Sequence, residues 1–207
     1  LNRTISPKLI SVAAHFFSLL PLAILSLQYF SGQLEPNPAQ TLEDSTGLIA
    51  ISLLTATLMI SPIARLLHQP VLQHARRPLG LYTAFYVALH LIILVGYDFR
   101  FNLPLLVDTY SGKPFIWFGL ATSLVLFTLA LTSFDRWKRN LGAWWGRLHR
   151  LIYLAAILDL AHFTLAVKGN ILSLSGNLSR PLFFAIVISL LLILRIYMRK
   201  SRPVRPL

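Results

Sequence analysis

The chain contains no cysteine. That absence excludes a disulfide, a covalently attached c-type haem, a thiolate-ligated haem and a cysteine-held iron–sulfur cluster. Charge is scarce as well: Asp, Glu, Lys and Arg make up 13% of the residues, against about 25% in an ordinary soluble domain. Acids are the scarcest of all, 7 against 19 Lys and Arg. No Gly-x-Gly-x-x-Gly loop occurs anywhere, so nothing in the sequence reads as a dinucleotide-binding module.

Apolar residues fill the space the charges leave. They form 56% of the chain, and the mean hydropathy is +0.66. This is the composition of an integral membrane protein whose first partner is the lipid bilayer. A net charge of +12 would suit nucleic acid if it formed an aromatic-interleaved patch. The basic residues instead border apolar runs, so no nucleic-acid partner is expected.

Six runs approach or exceed the roughly 20 apolar residues that a bilayer requires. They cover approximately 9–30, 47–67, 79–97, 115–134, 148–167 and 182–198. The first is long enough to span, which favours a membrane helix over a cleaved signal. Pro21 and Pro62 fall inside or near the ends of spans, where they kink or end helices. No internal repeat, low-complexity tract or soluble domain is evident. The expected fold is an all-α membrane protein, a six-transmembrane helix bundle forming a single domain over residues 1–207.

The connecting segments alternate in charge. Of the 19 Lys and Arg, only Arg100, Lys113, Lys168 and Arg180 fall on one side, with the acids Glu35, Glu43, Asp44, Asp98 and Asp108. All the others, including Arg76, Arg77, Arg147 and Arg150, fall on the side that carries both termini. Under the positive-inside rule both termini are cytoplasmic and the acidic loops face the opposite compartment.

Histidine supplies the chemistry. His90, His149 and His162 lie in or beside these spans, where imidazole is costly unless it is paired or bound. Neutral imidazole is also the common axial ligand of haem iron. Spans three and five run in the same direction, and His90 and His162 both sit roughly 17–21 Å above the cytoplasmic boundary at 1.5 Å per residue. Two imidazoles at one depth on parallel helices can grip a single haem from opposite faces, so His90 and His162 are the expected axial pair of a b-type haem. Filling both axial positions favours electron transfer over binding of oxygen or substrate.

The other end of the bundle differs. At the depth of His149, span three offers Arg76 and Arg77, which stay protonated and cannot ligate iron. They can bind haem propionates, a flavin phosphate or another anion. His149 is therefore either a second-haem ligand without a histidine partner, or a donor to a quinone. At 100° per residue Arg76 and His90 lie within about 40° of one face, whereas His149 and His162 differ by about 140°.

The competing reading for each of these histidines is a helix-to-helix hydrogen bond, and this is the favoured role of His15. His68 and His74 read as solvated residues of a basic loop, without the spacing of a metal motif. Asp159, one turn before His162, is placed to steer that imidazole, or else pairs elsewhere in the bundle. Trp137, Trp144 and Trp145 read as an interfacial aromatic belt in preference to a flavin-stacking surface.

The stretch from Arg76 to His90, RRPLGLYTAFYVALH, and the stretch WGRLHRLIYLAA from Trp145 to Ala156 resemble the ferric-reductase-like transmembrane family. Supporting matches are Pro36-Asn-Pro38, Thr46-Gly47, Ser61-Pro62-Ile-Ala-Arg65, Lys113-Pro-Phe115 and Leu131-Thr-Ser133, so nearly the whole chain takes part. The wider family carries two histidines on each of spans three and five for two stacked haems. Arg76 stands at the first of those positions here, a substitution that itself resembles one bacterial branch. What this resemblance implies is a b-type cytochrome of the bacterial inner membrane. It would pass electrons from the quinone pool to a periplasmic, molybdenum-containing MsrP-like methionine sulfoxide reductase, with which it forms a heterodimer that repairs oxidised proteins. The same branch is associated with FMN, for which the region of Arg76, Arg77 and His149 is the preferred location.

On this reading the chain is an electron-transfer, quinol-oxidising subunit and the partner performs the sulfoxide chemistry. Two alternatives stand beside it. One is electron transfer to Fe(III), which usually accompanies a fused flavin and nicotinamide module. The other is a transporter or purely structural bundle, which would be colourless when purified.

Overall fold

The structure, a computed structural model, describes residues 6–34, 36–167, 169–170, 175–176 and 178–200. Arg3, Glu35, Lys168, Arg202 and Arg205, which entered the charge reading, lie outside the described residues, as do the side chains of Arg199 and Lys200. Six helical segments are long and apolar enough to cross a membrane.

The first two are single helices, α1 (Pro7–Phe30) and α2 (Pro38–Leu66), with Pro21 and Pro62 inside them. The expected second span began at residue 47, yet α2 starts at Pro38. Its start is fixed by a cap, not by hydropathy: the Asn37 side chain accepts from the Gln40 N–H at 3.2 Å, and Pro38 supplies a pre-set φ where its missing N–H costs nothing. The helix therefore carries Glu43 and Asp44 in its first turns, residues that read as loop in the sequence.

The third segment changes pitch twice. A 3₁₀ turn at Pro70–Ala75 leads into α3 (Arg76–Ile92), and a π-helical stretch follows at Ile93–Asp98, immediately beyond His90. Arg100 and Phe101 then adopt positive φ, and a short helix, α4 (Leu103–Tyr110), leads to α5 (Pro114–Leu131). Two further short helices, α6 (Asp135–Leu141) and α7 (Ala143–Leu148), precede a 3₁₀ turn at His149–Leu151 and then α8 (Ile152–Ala166). A two-residue antiparallel pairing of Gly169–Asn170 (β1) with Ser175–Gly176 (β2) separates α8 from α9 (Ser179–Lys200). Apart from that pairing the described residues are helical or turn, the expected all-α bundle.

Four helices close on one another: α2 packs on α3, α3 on α5, α5 on α8 and α8 on α2. Their shared core contains Ile51 and Leu54 from α2, Tyr86 from α3, Leu126 from α5, and Ala155 and Ala156 from α8, with Phe184 and Ile188 of α9 joining from outside. Large apolar side chains on the outer faces of α1, α5 and α9, such as Phe17, Leu124 and Ile186, are exposed to the surroundings that lipid supplies.

Helix α1 docks on α3 through two polar contacts. Tyr86 Oη donates to the Ser18 carbonyl at 2.8 Å, and His15 Nδ1 lies 3.2 Å from Tyr82 Oη. The second is the helix-to-helix hydrogen bond expected for His15. Tyr86 is fully buried, so Tyr86→Phe removes a bond shielded from water and should cost about 0.5–1.5 kcal/mol. Thermal unfolding in detergent measures this as a lowered midpoint with helix content unchanged.

Candidate functional site

His90 reaches the site from the last turn of α3. Its Nδ1 lies 3.0 Å from the Glu43 carbonyl of α2 and 3.5 Å from Thr46 Oγ1. His162 reaches it from α8, with Nδ1 2.8 Å from the Phe115 carbonyl of α5. A carbonyl can only accept, so in each ring the proton sits on Nδ1 and the lone pair on Nε2. No hydrogen bond from the described residues reaches either Nε2. Each imidazole is thus locked in the tautomer that a metal ligand needs.

The two rings meet edge to face between α3 and α8. Their centroids are 6.4 Å apart and their planes meet at 85°. An imidazole nitrogen sits about 2.0–2.1 Å from a first-row metal, and roughly 1.2 Å from its own ring centre given ring bonds of about 1.33–1.4 Å. Two imidazoles on opposite sides of one metal therefore have ring centres about 6.4–6.6 Å apart. The observed spacing matches that arrangement. Among the described residues no group of three or more His, Asp or Glu gathers around one point, so the donor set suits a metal whose other ligands come with a prosthetic group.

Both histidines are held by the same construction. Each Nδ1 bonds a carbonyl 47 residues earlier in the chain, and each of those carbonyls is followed one turn later by a glycine, Gly47 or Gly119. The pair α2–α3 and the pair α5–α8 thus hold their histidines at the same sequence separation.

Asp159 does not steer His162: the Phe115 carbonyl takes Nδ1, and Asp159 forms no hydrogen bond or ion pair with the described residues. The reason is geometric. The α5 backbone comes close enough through Gly119 to offer its own acceptor.

At the opposite end of the core the expected group assembles only in part. His149 Nδ1 lies 3.2 Å from the Trp145 carbonyl, and its Nε2 is buried with no partner. Arg76 turns inward, within electrostatic range of His149, Tyr153 and Arg195, and its Nε is likewise buried without a partner. Arg77 turns outward, exposed, with its guanidinium over the Phe134 ring at 5.9 Å. Trp145 also departs from its expected place in an aromatic belt. It stacks on His149 at 4.1 Å between ring centres, while its Nε1–H donates to the Thr132 carbonyl at 2.9 Å. Trp137 and Trp144 remain exposed. Arg195 of α9, whose guanidinium lies over Tyr153 at 4.9 Å, adds a second cation within electrostatic range of Arg76, a juxtaposition that only the packing of α9 creates. The cluster holds two arginines and no acid; Arg76 Nε is an unfilled donor, and His149 Nε2, with the ring proton on Nδ1, is an unfilled acceptor, which suits a group that brings both a negative oxygen and a hydroxyl or metal. The 3₁₀ turn at His149 also shortens the angular gap to His162, since three residues at 120° advance the phase by roughly 60° more than an α-helix would.

His68 and His74 are exposed and join neither cluster. Acidic groups collect beyond His90: Glu43 Oε1 is buried without a partner, and Asp44 and Asp98 lie nearby. Burial, followed by the Glu43 and Asp98 carboxylates, holds the Tyr110 phenol above its ordinary range. A recess of about 430 Å³ opens there, lined by Asn37, Pro38, Gly96, Asp98 and Arg100 among others.

The chain matches the family described as the ferric reductase like transmembrane component over residues 46–160. That region takes in His90 and His149 and ends just before His162. Among curated proteins, the protein-methionine-sulfoxide reductase heme-binding subunit MsrQ of Xanthomonas campestris pv. campestris (strain B100) is 36% identical over 206 residues, covering 97% of this chain and 91% of the relative. The MsrQ subunit of Cronobacter sakazakii is 39% identical, over 77% of this chain and 80% of the relative. That of Caulobacter vibrioides is 40% identical over 72% of each. With six membrane-crossing segments, this is a multi-pass protein of the inner membrane. The chain belongs to the ferric reductase-like transmembrane family, in the branch that contains the MsrQ proteins.

Proposed function

We propose that this chain is the haem-binding membrane subunit of a methionine sulfoxide reductase system, carrying electrons from quinol to a periplasmic MsrP-like molybdoprotein. One observation carries the reading: two imidazoles with Nδ1 tied to backbone carbonyls, Nε2 unengaged and ring centres 6.4 Å apart. His90 and His162 would hold a b-type haem through Nε2, and the haem would supply a one-electron carrier. The Nδ1–H bonds would make each imidazole a stronger donor to the metal.

The second cluster handles the other end of the electron path. Arg76 and Arg195 attract a negative oxygen of the bound group, the His149 Nε2 lone pair accepts from a hydroxyl or meets a metal, and Trp145 holds the His149 ring by stacking on it. A quinol headgroup, the phosphate of FMN and the propionates of a second haem all share that chemistry. Cofactor stoichiometry in the purified protein separates them: flavin released on denaturation identifies FMN, two haems per chain identify the second haem, and neither leaves the quinol. Arg77, on the outer face, takes no part in this site. The distribution of basic residues orients both termini to the cytoplasm, so the axial pair lies toward the periplasm and its partner.

The purified protein should show the Soret and α-bands of low-spin haem b, sharpened by dithionite. A folded, colourless preparation would sink the proposal and return the bundle to a structural or transport role. The ring planes predict a finer signature. Near-perpendicular axial imidazoles leave the two iron orbitals that they contact almost degenerate, so the ferric protein should give a strongly anisotropic low-spin EPR signal. A three-line rhombic spectrum, which parallel rings produce, would contradict the observed angle.

A further inference from the structure

In an α-helix the Cβ of residue i+4 lies beside the carbonyl of residue i, which is why Ser and Thr bond back to that oxygen so readily. This chain does so repeatedly, as at Thr55 to the Ile51 carbonyl and Ser123 to the Gly119 carbonyl. At two places the position is vacated by glycine, and the ring of a histidine from the neighbouring helix enters instead. Gly47 opens the Glu43 carbonyl to His90, and Gly119 opens the Phe115 carbonyl to His162.

The two openings differ in depth. A Cβ built on Gly47 would meet the His90 ring at 3.6 Å, an ordinary contact. A Cβ built on Gly119 would meet His162 at 2.6 Å from Nδ1 and 2.8 Å from Cε1. Restoring a contact of about 3.5 Å moves that ring by roughly 1 Å. Metal–ligand distances tolerate about 0.2 Å, so the displacement is several times what a bond to iron withstands.

We infer that Gly119 is a positioning residue for the haem: its missing side chain seats the His162 imidazole on the Phe115 carbonyl and fixes its reach to the iron, a task that Gly47 performs for His90 only loosely. The inference rests on the proposed axial pair. It assigns a role to a helix-interior glycine that helix propensity disfavours, since alanine is the better helix former.

The test compares optical and EPR spectra and midpoint potentials of the purified wild-type, Gly47→Ala and Gly119→Ala proteins. Gly47→Ala should retain the low-spin haem, and Gly119→Ala should lose it. A control separates this from general disruption. In His162→Gly, free imidazole should restore a low-spin spectrum, and adding Gly119→Ala to that background should change it little, because the untethered ring can shift. If Gly119→Ala alone does not fold, this double variant with imidazole still carries the test: a folded low-spin protein supports the role, and failure to load haem overturns it. A low-spin spectrum and potential of wild-type form in Gly119→Ala would also overturn it, as would equal loss in both glycine variants. Absence of haem from the wild-type protein would instead overturn the axial pair itself.

Discussion

Removing either imidazole of the proposed axial pair should abolish the low-spin spectrum. His90→Ala and His162→Ala each leave one Nε2 facing a position that no other described side chain can fill. His149, the remaining buried histidine, belongs to the Arg76 cluster, and Asp159 makes no contact with the His162 ring. Haem should therefore be lost, or retained in five-coordinate, high-spin form on the surviving histidine. Optical spectra before and after reduction measure this directly. Retention of low-spin haem in both variants would remove the pairing. Replacing His15, His68 or His74 should leave the spectrum unchanged, because His15 is engaged with Tyr82 and the other two are exposed.

The second large effect is expected at Arg76. Its guanidinium is drawn into the core without an acid to neutralise it and with Nε unpartnered. A charge-assisted hydrogen bond contributes about 1.5–3 kcal/mol, which is roughly ten- to a hundredfold in affinity. Arg76→Gln should weaken the group bound at this end by that factor, read as a raised KM for quinol or as loss of flavin or of a second haem. Arg76→Lys keeps the charge but not the fork, so it should recover only part. In both variants the low-spin signal expected of the His90–His162 pair should persist, since the two imidazoles are tied to the Glu43 carbonyl of α2 and the Phe115 carbonyl of α5, at the other end of the core from Arg76. Loss of that signal in Arg76→Gln would show that the two clusters are not separate sites.

The histidine pair was legible because depth in a membrane is a one-dimensional quantity. Residue count along a span gives height directly, and His90 and His162 stand at one height on spans of the same direction. Azimuth is less legible. Arg76 and Arg77 are adjacent in sequence and share one height, yet the 100° between neighbours on a helix sends one into the core and the other onto Phe134. Trp145 lies close to Trp137 and Trp144 in sequence, but α7 and the following 3₁₀ turn carry it onto His149. Hydropathy misplaces a helix start where a cap overrides it, as at Asn37.

Composition and apolar run length alone determined that this chain crosses a membrane as six helices, because a bilayer admits little else. Cysteine's absence excluded thiolate ligation, and the positions of histidine made imidazole the expected haem ligand. Tertiary structure decided which ring atoms are tied up and which are left free. The pairing of α2 with α3 and of α5 with α8 brings backbone carbonyls to both Nδ1 atoms, and two glycines let them approach. Those contacts join residues far apart in the chain through groups that every residue possesses or that glycine lacks. They carry no signature in the sequence until the helices are packed.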